Sequence, residues 1–223
     1  MALNILPTGY PTVEDILNNM AKADKIAFLE SALTGTAREG ITSVIEFLKN
    51  TDFYIAPSSV AYHSNYDGGL LDHVLMVYTM AMRYREVLVA MKPELAAKLP
   101  EESIVISALL HDICKTCFYK KVLKWKKNME TNAWETYEGY EIEDSFPIGH
   151  GEKSVIMLQN FGLKLTPDEM IAIRFHMGAW DGAMLTNDVK YSYMKAMDMC
   201  PLMVLLQMAD NSSSLLLENK KQN

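Results

Sequence analysis

No apolar run in the sequence approaches the roughly 20 residues that a membrane helix needs. The longest candidate, Leu202 to Ala209, is short and carries Gln207, so no membrane association is expected. Cysteine is scarce, with three in 223 residues. An odd number at that density excludes a disulfide scaffold and fits a reducing, cytoplasmic setting. Met1 to Asn4 offers no positive segment ahead of an apolar stretch, so no secretory signal is expected. Positive charge is in deficit: Lys+Arg 21 against Asp+Glu 28 gives a net charge of −7. That excludes a globally basic coat for nucleic acid but leaves room for a local basic groove. Repeats, low-complexity tracts and linkers are absent as well. What is present is 49% apolar residues, enough for a packed core. At roughly 150 residues per domain the length suits one large domain or two small ones. Without a linker, one domain over residues 1–223 is the economical reading.

Helical patterning dominates. Thr12 followed by Asp15 resembles a capping box, with Asp where Glu or Gln is preferred, and opens a helix from Pro11 to Met20. Further helices are expected over Ala23 to Leu33 and Ala37 to Asn50, then over Leu70 to Met91 after a loop from Phe53 to Gly69. A short one lies between Pro93 and Pro100, and another runs from Glu101 to Lys115. Helices resume at Gly151 to Gly162 and at Thr166 to Met177. After a loop from Gly178 to Asp188 they continue at Val189 to Met197 and Pro201 to Leu217. Residues 118–142 break the pattern. They are rich in Tyr, Trp, Val and Thr, and predict a β-hairpin excursion from an otherwise all-α fold. Lys120, Lys121, Lys124, Lys126 and Lys127 fall in its first arm, and Glu130, Glu135, Glu138, Glu141, Glu143 and Asp144 in or after its second. Opposite charges can pair across strands on a solvated face. Alternatively, the arm forms a basic flap over an anionic substrate.

The chain has five histidines: His63, His73, His111, His150 and His176. All but His63 sit beside helix-end signals. Helical spacing puts His111 on the inward face with Ile104 and Ala108, and Asp112 on the neighbouring inward row with Val105 and Leu109. Asp210 follows Met203 and Leu206 on the apolar side of its helix, and His176 follows Ile173. Ionised carboxylates on an apolar face are costly unless paired or coordinated. Lys115 could pair with one of them. A metal ion would satisfy both aspartates and the imidazoles together. Nitrogen and oxygen donors without thiolate favour Mn, Fe, Co, Ni or Mg over structural zinc. Two such ions sharing a carboxylate activate water and clamp a phosphoryl group. Cys114-Lys-Thr-Cys117 has a Cys-x-x-Cys form, but both thiols fall at a helix C-terminus, where the dipole disfavours thiolate.

The order His73, His111-Asp112, Asp210 resembles the HD-domain superfamily of metal-dependent phosphohydrolases. Gly68-Gly69-Leu70-Leu71-Asp72-His73 is similar to the Gly-Gly-Leu-Leu-Glu-His entry of that family. Leu110-His111-Asp112-Ile113-Cys114-Lys115 is similar to its Leu-His-Asp-Ile-Gly-Lys signature, with Cys114 in place of glycine. Ile148-Gly149-His150-Gly151 and Phe175-His176 match the extra histidines of binuclear members. Ala56 to His63 resembles the approach to the Gly-Gly motif in YhaM-type exoribonucleases, though their OB-fold is not expected here, because the first 50 residues read as helices.

The resemblance implies an HD-domain helical bundle with its core over residues 53–215 and the helices of residues 1–50 packed on it. It implies that His73, His111, Asp112 and Asp210 hold a first metal, and that His150 and His176 complete a second site bridged by Asp112. Lys115 would approach the substrate phosphate. His63 would contact phosphate or act as general acid, and Arg174 would contact phosphate unless held in a surface ion pair with Asp168 or Glu169. The expected activity is hydrolysis of a phosphomonoester or phosphodiester in a nucleotide-like small molecule by metal-activated water, with one or two divalent ions as cofactor. One alternative is a 3'-5' exonuclease on short single-stranded RNA or DNA, stacking bases on Tyr119 and Trp125 beside the lysine-rich arm. Another is a non-catalytic nucleotide-binding signalling module.

Overall fold

The computed structural model describes residues 9–182 and 186–218. Eight α-helices and one two-stranded ribbon account for most of them. The helices are α1 (Lys22–Gly35), α2 (Ile41–Asn50), α3 (Gly69–Met91), α4 (Glu101–Leu110), α5 (His150–Asn160), α6 (Pro167–Phe175), α7 (Asn187–Met199) and α8 (Pro201–Ser212). The ribbon pairs β1 (Tyr119–Lys127) with β2 (Trp134–Ile142) in an antiparallel register from Tyr119↔Ile142 to Lys127↔Trp134. The helical bundle with a hairpin is therefore as expected. Residues 183–185 of the anticipated loop lie outside the described residues.

α3 is the axis of the bundle. It is buried almost without interruption from Gly69 to Met82, so it carries apolar side chains all round, as a central helix must. It packs on α4 and α8, while α8 packs on α6 and α6 on α5. α1 closes the other side against α2, α3 and α4. One apolar core takes side chains from Tyr10 through Leu75, Ile106 and Ile173 to Leu206. Among the described residues no helix is long and apolar enough to cross a membrane.

Two buried ion pairs bind the N-terminal helices to this frame. Lys25 of α1 reaches Asp72 of α3 at 2.6 Å, and the Tyr66 hydroxyl donates to the second carboxylate oxygen. Arg38 grips the fully buried Glu169 of α6 through both terminal nitrogens, at 2.8 and 2.9 Å. Glu169 also accepts from Ser103 and completes a capping box with Thr166. A charge buried this deeply is tolerated because each of its oxygens has a donor.

Four boundaries differ from the sequence expectation. Gly40 takes a left-handed φ of 89°, which ends any helical run from Ala37 and starts α2 at Ile41. α4 stops at Leu110 rather than Lys115, and only a short 3₁₀ turn, Ile113–Lys115, follows. The N-terminal helix keeps its Thr12–Asp15 box, with the Asp15 amide donating to the Thr12 hydroxyl at 3.0 Å, but winds as a π-turn over Asp15–Asn19. The chain beyond α8 likewise widens into a π-turn, Ser213–Leu217.

Candidate metal centre

The site forms where three helix ends and one helix interior converge. His73 comes from the second turn of α3, whose entry is set by two glycines. Gly68 adopts φ 87°, and a side chain on Gly69 would meet the Ser64 carbonyl oxygen at 1.9 Å. The Gly-Gly pair therefore lets the 57–67 loop lie against the start of α3. His111 caps α4. Asp112 then takes φ −105° and ψ 20°, a sparsely populated region where active-site residues recur. Leaving the helix here allows two consecutive polar residues to be buried together, His111 fully and Asp112 almost so. His176 caps α6, and Asp210 projects from α8.

Five of the six expected ligands meet. His73 Nε2 lies 3.2 Å from His111 Nε2, 3.3 Å from Asp112 Oδ2 and 3.4 Å from Asp210 Oδ1. His111 Nε2 is 3.4 Å from Asp112 Oδ2, and His176 Nε2 is 3.5 Å from Asp112 Oδ1. Among the described residues three groupings, His73–His111–Asp112, His111–His176–Asp210 and His63–His73–Glu218, each converge closely enough to hold a metal ion.

The ring tautomers show what the cluster is built to bind. His111 Nδ1 donates to the Ala108 carbonyl at 2.9 Å, and His176 Nδ1 to the Ile173 carbonyl at 2.7 Å. His73 Nδ1 lies 2.6 Å from Glu218 Oε1 and donates to that carboxylate. With each Nδ1 proton committed outward, all three Nε2 atoms face one another and two carboxylates. Such an arrangement calls for a cation. One buried atom says the same independently: Asp112 Oδ1, facing His176, has no hydrogen-bond partner. Buried polar atoms are rarely left so. The residues therefore fit a divalent ion.

The electrostatics agree. Burial works against His73 carrying charge, yet Glu218, Asp112 and Asp210 raise it to about 10. Burial also opposes the Asp112 charge, but Lys115 and the histidines hold its carboxyl well below the usual range. Burial lowers His111, while Asp112 raises His176 against the same penalty. The cluster favours positive charge, and its carboxylates raise His73 accordingly.

The remaining expected residues divide. Lys115 reaches Asp112 Oδ2 at 2.6 Å and Ser58 at 3.5 Å, so it pairs with the Asp112 carboxylate at the edge of the site. His63 lies over the His73 ring at 5.0 Å between centroids and contacts Ser58. Burial, aided by His73 and Lys115, pulls it down to about 4, which leaves it neutral near pH 7 and without the proton a general acid needs. His150 stays apart from the five. Its Nδ1 lies 3.5 Å from the Cys114 sulfur and its ring is against Phe118. Arg174 is engaged by Glu152 and by Asp181 at 2.6 Å, not by Asp168 or Glu169. Cys114 is buried and its thiol pushed up to about 12 by burial, so burial, not a helix end, disfavours the thiolate here.

Glu218 was not visible from sequence. It belongs to a polar stretch after an apolar helix and reaches His73 across 145 residues, a separation that no periodicity encodes. The ribbon is moored beside the centre: the Tyr119 hydroxyl donates to the Ser58 carbonyl at 3.2 Å, and Lys121 and Tyr140 both bind Asp67.

The HD domain family profile matches residues 70–215, and the chain belongs to that family. A curated relative, the dihydroneopterin 2',3'-cyclic phosphate phosphodiesterase of Methanocaldococcus jannaschii, is 34% identical over 88 residues. That match covers 34% of this chain and 34% of the relative, so the chain spans about a third of the curated protein it resembles. No solved structure matches significantly.

Proposed function

We propose that the protein is a metal-dependent phosphohydrolase that opens or cleaves a phosphodiester in a small nucleotide-like substrate. The observation that carries this reading is the unpartnered Asp112 Oδ1, buried between His176 and a group of inward Nε2 atoms. His73, His111, Asp112 and Asp210 would hold one divalent ion, and Asp112 with His176 would begin a second site that His150 could complete. Bound ions of this kind supply Lewis acidity to a phosphoryl oxygen and lower the pKa of water. The donor set of imidazole and carboxylate suits Mn, Fe, Co, Ni or Mg.

The chain's own residues do the rest. Lys115 presents an ammonium at the edge of the carboxylate cluster, a point charge suited to a phosphate oxygen. Neutral His63 offers a hydrogen bond beside it. Arg174 contacts phosphate only if it leaves Glu152 and Asp181, so it serves better as a clamp between α5 and α6. The relative's named substrate, a 2',3'-cyclic phosphate, makes a cyclic phosphodiester the first candidate.

The test is manganese-loaded protein incubated separately with a nucleoside 2',3'-cyclic phosphate, a nucleoside monophosphate and a short single-stranded oligonucleotide. Ring opening of the cyclic phosphate, lost in Asp112→Asn, is the expected result. Release of free phosphate from the monophosphate alone would make it a phosphomonoesterase. Bound metal without turnover of any substrate would overturn the enzymatic reading in favour of a binding module.

One observation favours the exonuclease alternative. Trp125 and Trp134 are exposed on the same ribbon face as Tyr119, Lys121 and Lys127. Release of mononucleotides from the oligomer, weakened by Trp125→Ala with Trp134→Ala while cyclic phosphate turnover holds, would establish it.

A further inference from the structure

Of the three histidines whose Nε2 atoms face the cluster, two fix their Nδ1 protons on backbone carbonyls. Carbonyl acceptors one helical turn back are a local consequence of the helix end and are neutral. The Nδ1 proton of His73 goes instead to a carboxylate, that of Glu218. The side chain of Glu218 is fully buried, and both of its oxygens are used: Oε1 at 2.6 Å from His73 Nδ1, and Oε2 at 2.6 Å from the Ser64 hydroxyl. Ser64 is itself buried and holds φ 43°, an uncommon conformation for a residue other than glycine. The π-turn Ser213–Leu217 closes with the Glu218 amide on the Ser213 carbonyl at 3.0 Å, which turns this residue back toward α3.

We propose that Glu218 is a positioning residue for the metal centre, one that holds His73 in the Nδ1–H tautomer, aims Nε2 at the ion and raises the basicity of that nitrogen. This rests on the reading of the cluster as a metal site. The carboxylate does not itself serve as a ligand, because His73 and Ser64 occupy its two oxygens. Its effect passes through the ring. A negative charge hydrogen-bonded to the far nitrogen strengthens the near nitrogen as a donor, and such partners are typically worth about 10- to 100-fold in metal affinity. The 57–67 loop, which supplies Ser64 and His63, is thereby tied to the same carboxylate and to the start of α3.

The experiment titrates Mn²⁺ and Co²⁺ into the full chain by calorimetry and records the visible Co²⁺ spectrum and the metal-induced rise in Tm. The variants are Glu218→Gln, Glu218→Ala and Ser64→Ala. Glu218→Ala is expected to weaken metal binding by about 10- to 100-fold and to alter the Co²⁺ spectrum. Glu218→Gln keeps an acceptor for the Nδ1 proton but lacks the charge, so its loss should be smaller, within about tenfold. Ser64→Ala should fall closer to wild type than either. If Glu218→Gln and Glu218→Ala lower the Tm of metal-free protein but leave the metal Kd and the Co²⁺ spectrum unchanged, the residue is merely structural and the proposal is wrong. Should Glu218→Ala fail to fold, Glu218→Gln alone decides: an unchanged Kd overturns the role of the charge. A wild-type protein that binds neither ion would remove the metal reading, and this inference with it.

Discussion

Asp112 shows how much one side chain can be made to carry. One of its oxygens meets Lys115, His73 and His111, and the other waits opposite His176. Without metal, Lys115 and a protonated His73 supply the positive charge that this buried carboxylate requires. Lys115→Met should therefore destabilise metal-free protein by about 3 kcal/mol, the scale for stripping one partner from a buried pair. Manganese should restore part of that loss, because it takes over the neutralisation. Thermal unfolding with and without Mn²⁺ measures both numbers, and an equal loss in the two states would contradict the argument. The same logic sets a pH dependence. His73 is raised to about 10 from an ordinary 6.5. A group raised on folding contributes stability that is complete below the unfolded value and fades as pH climbs through the folded one. In metal-free protein that contribution is thus full below pH 6.5 and lost towards pH 10. The proton and the ion compete for Nε2, so metal affinity should rise by up to about tenfold per pH unit across this window. Calorimetric Mn²⁺ titrations at several pH values would show it, and a flat profile would mean that His73 is not a ligand. Spacing made His111, Asp112, His176 and Asp210 legible, since each falls on an apolar row where an unpaired polar group is costly, whereas His73 was legible only through the family resemblance of Gly68 to His73. The partners of Nδ1 were not legible. Hydrogen bonds between residues far apart in sequence follow from tertiary approach, which periodicity does not describe.

At the level of elements, long apolar stretches read correctly and their ends did not. α3 was evident because its apolar positions run on for more than three turns. α4 was expected to continue through Lys115, because nothing in Ile104 to Lys115 breaks helical periodicity. The chain departs at His111–Asp112 because burying both side chains in one cluster is incompatible with their separation around a straight helix. The π-turns at Asp15–Asn19 and Ser213–Leu217 were not legible either, because nothing in the residue pattern distinguishes their wider turn from an α-turn. The ribbon was legible from its composition, and its register places Lys120 opposite Glu141 and Lys126 opposite Glu135, as the charge split suggested. The Gly68–Gly69 entry gives a direct test of how these ends position the site. A methyl group at Gly69 would collide with the Ser64 backbone, which has no flexible end to move aside. Gly69→Ala should cost about 2 kcal/mol, within the range for overpacking a close contact. It should also weaken metal binding, because Ser64 holds Glu218 and Glu218 holds His73. Stability loss without any change in Mn²⁺ affinity would show that the loop and the ligand are independent.

Across the whole molecule, the proposed ligands come from α3, α4, α6 and α8, and the tail after α8 supports the first of them. An ion bound there ties together most of the helices that form the core, so it should stabilise the folded state and not merely a surface loop. At a free metal concentration about 100 times Kd the linkage amounts to about 2.7 kcal/mol. For a chain of this size that corresponds to roughly 5–10 °C in Tm. Chelation should remove this increment and Mn²⁺ should return it. The Arg38–Glu169 pair provides the control, because it binds the N-terminal region to α6 through contacts that include none of the metal ligands. Arg38→Met leaves the Glu169 carboxylate buried without its main partner and should cost about 3–5 kcal/mol. Distant, unshared interactions add. The Tm of Arg38→Met should thus fall by the same amount with metal and with chelator, whereas the drop in Glu218→Ala should be larger with metal present. If chelation left wild-type Tm unchanged while Mn²⁺ still bound, the ion would be held by a site that does not bridge these helices. The convergence of α3, α4, α6 and α8 on a shared cation would then be the wrong account of how this bundle is held at its centre.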